Sequence, residues 1–107
     1  MSLENIVRNG ELLDCYGVLL TARQRECLDL YYNENLSLAE IAAHFHISRQ
    51  AVHDAIRHGE EQLAQYEAAL HLAKTKAMRQ DAAARLLALV APAHAGEAQE
   101  LLKVLRE

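Results

Sequence analysis

Three helix starts lie close together in the first half of this chain, and they constrain its fold more than any other feature. Thr21 is followed three residues later by Gln24, and Ser37 is followed three residues later by Glu40. This is the pattern of a capping box, in which each of the two side chains binds the other residue's backbone N–H. Ser48 is a third residue of the type that caps helices. Helix starts separated by such short connections predict compact packing of several helices.

Apolar residues at helical spacing extend this pattern in both directions. We predict a first helix over residues 5–16 that ends at Gly17, and a second helix that ends near Tyr32. The asparagines within residues 33–35 suit a left-handed turn, and a short third helix then reaches Phe45. Leu and Ala supply most of the apolar residues, which make up 51% of the chain, and they favour helices over strands. The expected fold class is therefore all-α.

The fourth helix is predicted to be the longest. Apolar and small residues recur from its start at alternating spacings of four and three, which is a heptad pattern. These residues are Val52, Ile56, Gly59, Leu63, Tyr66, Leu70, Ala73 and Ala77. Because the glycine and the alanines weaken the pattern, we expect the helix to bend or break after Leu72. Two shorter amphipathic segments follow over residues 81–90 and 97–105, with a break at 92–96.

This pattern predicts a helix-turn-helix domain over residues 1–72 and a helical C-terminal extension over residues 73–107. Only the first three turns of the fourth helix belong to the compact motif, so the rest must bury its apolar side on something else. We predict that the extension is a dimerisation element. The expected homodimer interface contains Leu63, Tyr66, Leu70, Leu86 and Leu89.

The third and fourth predicted helices meet the packing requirements of a helix-turn-helix. Ala42 is the small residue midway along the first helix of the motif, and Ile47 is the apolar residue of the turn. Val52 and Ile56 are the branched residues on the inner side of the second helix. His46 lies where glycine commonly makes the left-handed turn, and histidine tolerates this conformation better than β-branched residues do.

In a DNA-binding helix-turn-helix, the first turn of the second helix reads base edges in the major groove. Arg49 and Gln50 lie in that turn and suit guanine and adenine edges. Arg57 and His58 lie further along, near the phosphates, and the amides at the helix starts of Ser37 and Ser48 add uncharged phosphate contacts. The predicted DNA-binding residues are Ser37, Ser48, Arg49, Gln50, His53, Asp54, Arg57 and His58.

The charge of the chain opposes general attraction to nucleic acid. Its net charge is −4, and residues 1–60 carry nine acidic and five basic residues, so the excess of acid lies in this half. Any binding to DNA must therefore come from the local arrangement of side chains. A helix-turn-helix also serves as a docking surface for protein or RNA, and this alternative stays open.

The sequence does not favour other classes of site. Local spacing assembles no nucleophile–base pair, phosphate-binding loop or carboxylate dyad, so we expect neither an enzyme nor a cofactor. No two histidines have the i, i+4 spacing of a helical metal site, and Cys15 and Cys27 are expected to be reduced core thiols. No apolar run of about 20 residues and no signal peptide occur, so we expect a cytoplasmic protein without membrane insertion.

Several segments resemble known families. Leu20–Leu28 and Ser37–Ala42 look like region 4 of sigma factors and the related LuxR-type domains. More specific segments, over about residues 5–72, are similar to the YlxM family. These are Tyr16-Gly17 before Leu19-Leu20-Thr21, Leu30-Tyr31-Tyr32, Ile47–Val52 followed by Asp54, and Leu63 through Tyr66-Glu67 to Leu70.

The resemblance implies a sigma region 4-like bundle with a long fourth helix and C-terminal helices, and a dimer. YlxM-type proteins are usually encoded beside the signal recognition particle GTPase and its receptor, which implies a role in that targeting pathway. The expected function is that of a helix-turn-helix protein that binds double-stranded DNA and regulates transcription. The alternative is an accessory factor that docks on the signal recognition particle RNA or GTPase without sequence-specific DNA binding. A third reading is a protein that uses the fold to bind polymerase beside or against a sigma factor.

Overall fold

A computed structural model describes residues 3–106 of the chain. Six α-helices follow one another in these residues, and short 3-10 helices at Gly17–Leu19 and Pro92–His94 connect two pairs of them. The α-helices are α1 (Leu3–Tyr16), α2 (Ala22–Tyr32), α3 (Leu38–Phe45), α4 (Arg49–Leu70), α5 (Leu72–Ala88) and α6 (Ala95–Arg106). No strand occurs between residues 3 and 106, and the predicted all-α class is confirmed.

All three predicted helix starts are present. Thr21 and Ser37 each form a complete capping box, with Gln24 and Glu40 respectively as the second residue. The Ser48 hydroxyl accepts a hydrogen bond from the Ala51 N–H at 3.0 Å. These bonds satisfy backbone N–H groups that have no partner inside the helix, which is why the helices begin at these residues.

Contacts along the chain divide it after His71, and the first of the two units contains the helix-turn-helix. In this unit α4 packs against α1, α2 and α3. The buried side of α4 consists of the residues of the predicted heptad pattern from Val52 to Leu63. The buried apolar side chains of the unit are Leu12, Leu13, Tyr16, Leu20, Cys27, Leu28, Ile41, Ala42, Val52, Ile56 and Leu63.

Gly59 lies where α4 approaches α2 closely. A Cβ atom at this position would be 2.6 Å from Cδ1 of Leu28, whose side chain is fully buried. The sequence pattern indicated only that Gly59 weakens the heptad pattern. In the structure it is instead the residue that allows the two helices to come together.

Polar side chains tie the first two helices to α4. The Tyr16 hydroxyl donates to Oε1 of Glu67 at 2.6 Å, and this carboxylate is buried. The Tyr32 hydroxyl donates to Oε1 of Glu60 and accepts from Nδ2 of Asn9 at 3.0 Å. Burial, together with the hydrogen bond to Glu60, raises the pKa of Tyr32 above its usual value of 10.0. These bonds supply partners for groups that would otherwise be costly to bury.

The long helix ends slightly earlier than expected. His71 adopts a left-handed conformation, with φ 54°, and its N–H donates to the Glu67 carbonyl at 2.9 Å. Ala73 and Ala77 therefore lie on α5 and do not continue the heptad pattern of α4. The predicted break is present, but its position depends on a left-handed histidine that helix propensity does not reveal.

The second unit begins at Leu72 and consists of α5 and α6 packed on one another. Its first helix starts at Leu72 and not near residue 81, because the Ala-rich stretch between them is also helical. The predicted break over residues 92–96 lies a few residues earlier, since α5 ends at Ala88 and α6 begins at Ala95, which places Gly96 inside α6. None of the described helices is both long and apolar enough to cross a membrane.

The expected dimer interface requires one correction. Leu63 has 0% of its surface exposed within the chain, so it has no surface to offer to a second copy. Tyr66 is half-buried, with its ring centroid 5.9 Å from that of Tyr16. Leu70, Leu86 and Leu89 are exposed. Contacts from α1 and α2 continue beyond the first three turns of α4, as the bonds from Tyr16 to Glu67 and from Tyr32 to Glu60 show.

Candidate nucleic-acid interface

Helices α3 and α4 form the helix-turn-helix, and the turn between them is defined by its backbone. His46 ends α3 in the left-handed conformation, with φ 56° and ψ 44°. The Ile47 N–H then donates to the Ala42 carbonyl at 3.1 Å, and Ser48 caps the start of α4. Ala42 and Val52 are both buried, as a close crossing of the two helices requires. The turn predicted from the sequence is confirmed, including its histidine.

The predicted reading residues form one exposed side of α4. They occur in three adjacent pairs, and each pair begins four residues after the one before it, so they share one side of the helix. Val52 and Ile56 are buried on the other side. The exposed residues are Arg49, Gln50, His53, Asp54, Arg57 and His58.

Asp54 organises its neighbours on this surface. Nε2 of Gln50 donates to Oδ1 of Asp54 at 2.9 Å, and Nδ1 of His53 lies 3.7 Å from the same oxygen. This bond uses one hydrogen of the Gln50 amide and directs its nitrogen towards Asp54. The second hydrogen and the carbonyl oxygen remain to bind a base edge, and one donor with one acceptor is the pair that adenine requires. Gln50 and Asp54 are four residues apart on α4, a spacing that favours this bond.

The two arginines of the surface differ in their surroundings. Nε of Arg57 donates to Oε1 of Glu61 at 3.4 Å, and both side chains are well exposed. An exposed pair of this kind contributes only about 0.2–1 kcal/mol, so a phosphate can displace it. Within the part of the chain that the structure describes, Arg49 has neither an ion pair nor a hydrogen bond from its side chain. Arg49 is therefore the cation most available to a ligand.

The two serine-capped helix starts are not equivalent. At α3, the Ser37 N–H donates to Oε1 of Glu40 at 3.1 Å, and the Glu40 N–H donates to the Ser37 hydroxyl at 3.1 Å. The bonds from Ser37, first from its backbone N–H and then from its side chain, lower the pKa of Glu40 below 4.5. A carboxylate therefore occupies this start and opposes a phosphate. The first turn of α4 has no acidic residue, which makes Ser48 the better phosphate contact.

Other kinds of site find little support in the described residues. Among residues 3–106, no group of three His, Cys, Asp or Glu side chains could hold a metal ion. Both cysteines are free thiols; Cys27 is buried, as predicted, whereas Cys15 is half-buried. Burial raises the pKa of Cys27 above its usual value of 9.0, which makes it less reactive.

Comparison with known proteins shows one family. Residues 3–101 match UPF0122, described as "Putative helix-turn-helix protein, YlxM / p13 like". A UPF0122 protein of Clostridium kluyveri is 53% identical over 74 residues, which are 69% of this chain and 67% of that protein. Similar proteins from Latilactobacillus sakei and Bacillus pumilus are 42% and 41% identical over the whole chain and cover 94% and 98% of their own lengths. The similarity to the latter two therefore extends through the second unit.

Proposed function

We propose that this chain, which belongs to the YlxM/p13-like family of helix-turn-helix proteins, binds double-stranded DNA and regulates transcription. The observation that carries this proposal is the position of Arg49 and Gln50. Both are exposed in the first turn of α4, immediately after the left-handed turn that sets the angle between α3 and α4. In DNA-binding proteins with this motif, the first turn of the second helix enters the major groove.

The exposed surface of α4 suggests a division of roles. Arg49 suits the two acceptors of a guanine, and Gln50, oriented by Asp54, suits an adenine. Arg57 would leave Glu61 and bind a phosphate, while His53 and His58 lie beside it on the same side of the helix. With only two or three cationic contacts per protomer, we expect a shallow salt dependence, with a slope of about −2 to −3.

Weak binding by one protomer favours a homodimer that occupies two half-sites. In a dimer of this class the half-sites lie about 34 Å apart, or a multiple of that distance. We propose that Tyr66, Leu70, Leu86 and Leu89 contribute to the dimer contact, since Leu70, Leu86 and Leu89 are large exposed apolar residues.

The proposed regulator would act in the bacterial cytoplasm, where the DNA lies, and we propose that it is connected with the signal recognition particle pathway. A second candidate is an accessory factor that docks on the RNA or the GTPase of that particle. The acidic balance of residues 1–60 favours the form of this second candidate that docks on the GTPase, because it opposes general attraction to DNA and RNA alike.

Selection from a pool of random duplex DNA tests the first proposal. The purified full chain would be used at near-physiological salt, with signal recognition particle RNA as a parallel ligand. We expect enrichment of a palindromic duplex whose half-site spacing reports the dimer. Retention of the RNA without any enriched duplex would favour the accessory factor instead.

Two variants then test which residues read the bases. Arg49→Ala and Gln50→Ala should each reduce discrimination by about 5- to 150-fold, the effect of losing one two-bond base contact of about 1–3 kcal/mol. Gln65→Ala is the matched control, because Gln65 is also exposed on α4 but lies four turns beyond the first. If both variants bind every duplex as the parent does, this surface does not read DNA.

A further inference from the structure

A cleft of about 350 Å³ lies in the first unit, where the end of α1 and the following 3-10 helix meet α2. Leu13, Gly17 and Val18 form its apolar part, and none of them belongs to the reading surface of α4. Gly17 has no side chain to occupy this space. A Cβ atom at this position would lie only 3.3 Å from Cδ1 of Leu13. Val18 is 80% exposed, so its apolar side chain is accessible beside the cleft.

Charged side chains surround this apolar part, and most of them are acidic. The cleft is lined by Asp14, Glu26 and Asp29, against the single cation Arg25. In the region that the structure describes, none of the three carboxylates takes part in an ion pair. Among the described residues, Nδ2 of Asn33 donates a hydrogen bond to Oδ1 of Asp29 at 2.7 Å, and this bond brings no positive charge. The rim therefore carries two more negative than positive charges.

The apolar part of the cleft and its acidic rim together indicate which kind of partner it can bind. The acidic rim opposes nucleic acid, whereas it attracts Lys and Arg side chains and speeds their encounter with the surface. Glu26 and Asp29 are three residues apart on α2, so their side chains face the same way. Two basic residues on one side of a second helix would have a matching spacing. A second copy of the chain is a poorer occupant, because each copy carries a net charge of −4.

We propose that this cleft binds a cationic amphipathic helix of a partner protein. One branched apolar side chain of that helix packs against Leu13 and Val18, and its Lys or Arg residues pair with Glu26 and Asp29. The inference does not depend on DNA binding, because the cleft and the reading surface share no residue. It gives the protein a separate surface for protein recruitment.

A designed peptide tests this proposal with the full-length, ¹⁵N-labelled protein. The probe is a helical peptide of about four turns with Leu and Arg on one side, and its control has Glu in place of each Arg. We expect saturable shifts of the backbone amides of residues 13–18 and 25–33 with the Arg peptide, weakening as salt rises, and no saturable shifts with the Glu peptide. Failure of the Arg peptide to saturate, or shifts centred elsewhere, would overturn the proposal. The same shifts on concentrating the protein alone would assign the cleft to a second copy and overturn it as well.

Substitutions on the rim separate specific docking from general attraction. The double variant Glu26→Gln, Asp29→Asn should weaken peptide binding by about 2- to 25-fold, because each exposed ion pair contributes a factor of about 1.4–5. Asp29→Asn keeps an acceptor for Asn33, so the end of α2 is preserved. Glu34→Gln, in the exposed loop after α2, is the single-charge control and should have little effect. Val18→Ser should weaken binding by about tenfold or more through lost apolar contact. Equal affinity of the double variant and the control would show that no specific cleft is used.

Discussion

Gly10 and Gly59 are both glycines inside helices, but their surroundings are opposite. A Cβ at Gly10 in α1 would meet nothing within 4 Å, whereas a Cβ at Gly59 in α4 would meet Leu28 at 2.6 Å. Helix propensity treats the two positions alike and favours alanine at each by about 1 kcal/mol. At Gly59 only, the contact with a fully buried leucine makes alanine unfavourable, because side chains in a packed interior move only at a cost in free energy.

We predict that Gly59→Ala destabilises the protein by about 1–3 kcal/mol, the usual cost of adding a carbon to a filled core. Gly10→Ala is the matched control and should stabilise the protein by about 0.5–1 kcal/mol. Urea unfolding of the two variants and the parent measures both changes. A Gly59→Ala variant as stable as the parent would mean that α2 and α4 are not in close contact there.

At the scale of one element, the start of α3 depends on charge as well as on hydrogen bonding. The Ser37 backbone N–H and hydroxyl lower the pKa of Glu40, so the ionised carboxylate is favoured in the folded state. Its contribution to stability is therefore present above pH 4.5 and is lost as the pH falls through the lower pKa of the folded protein.

We predict that Glu40→Gln is less stable than the parent at neutral pH, and that this difference shrinks as the pH is lowered to about 3. Glutamine keeps an acceptor oxygen but has no charge to lose, so only the parent changes through Glu40. Ser37→Ala, which removes the cap itself, should cost about 1 kcal/mol at neutral pH. The free energy of unfolding at several pH values provides the measurement, and a difference that does not vary with pH would contradict the assignment.

At the scale of the whole molecule, the second unit leaves much apolar surface uncovered. In α5 and α6 only Ala83 and Leu102 are buried apolar residues, while Leu86, Leu101 and, in the turn after α5, Leu89 are exposed. Helices of 17 and 12 residues are marginal without packing, and the proposed homodimer would add to the packing of α5 and α6 on one another. The surface supports the proposed homodimer, with Leu89, 83% exposed, as its most accessible large residue.

We predict a mass of about 24 kDa in sedimentation equilibrium, twice the 12.0 kDa of one chain. Leu89→Asp should shift the protein towards 12.0 kDa by placing a charge in an apolar contact. Gln80→Asp adds the same charge at an exposed position of α5 that is not among the proposed contact residues, and should leave the dimer intact. A parent chain whose mass is 12.0 kDa at every concentration would exclude the dimer.

The sequence by itself determined the helical class, the starts of α2, α3 and α4, and the helix-turn-helix with its outward residues. These features depend on hydrogen bonds that span three or four residues and on the periodicity of one helix, both of which are readable locally. The left-handed His46 belongs with them, because the surrounding motif already requires that turn.

Only the tertiary structure decided how far the packing around α4 extends. Leu63 and Leu70 are equivalent in the heptad pattern, yet one is fully buried and the other half exposed. The difference arises because α1, α2 and α3 cover only part of the length of α4. The close contact at Gly59 and the acidic rim of the cleft have the same origin. Each brings together residues from separate helices, and no local pattern records which helices will be neighbours.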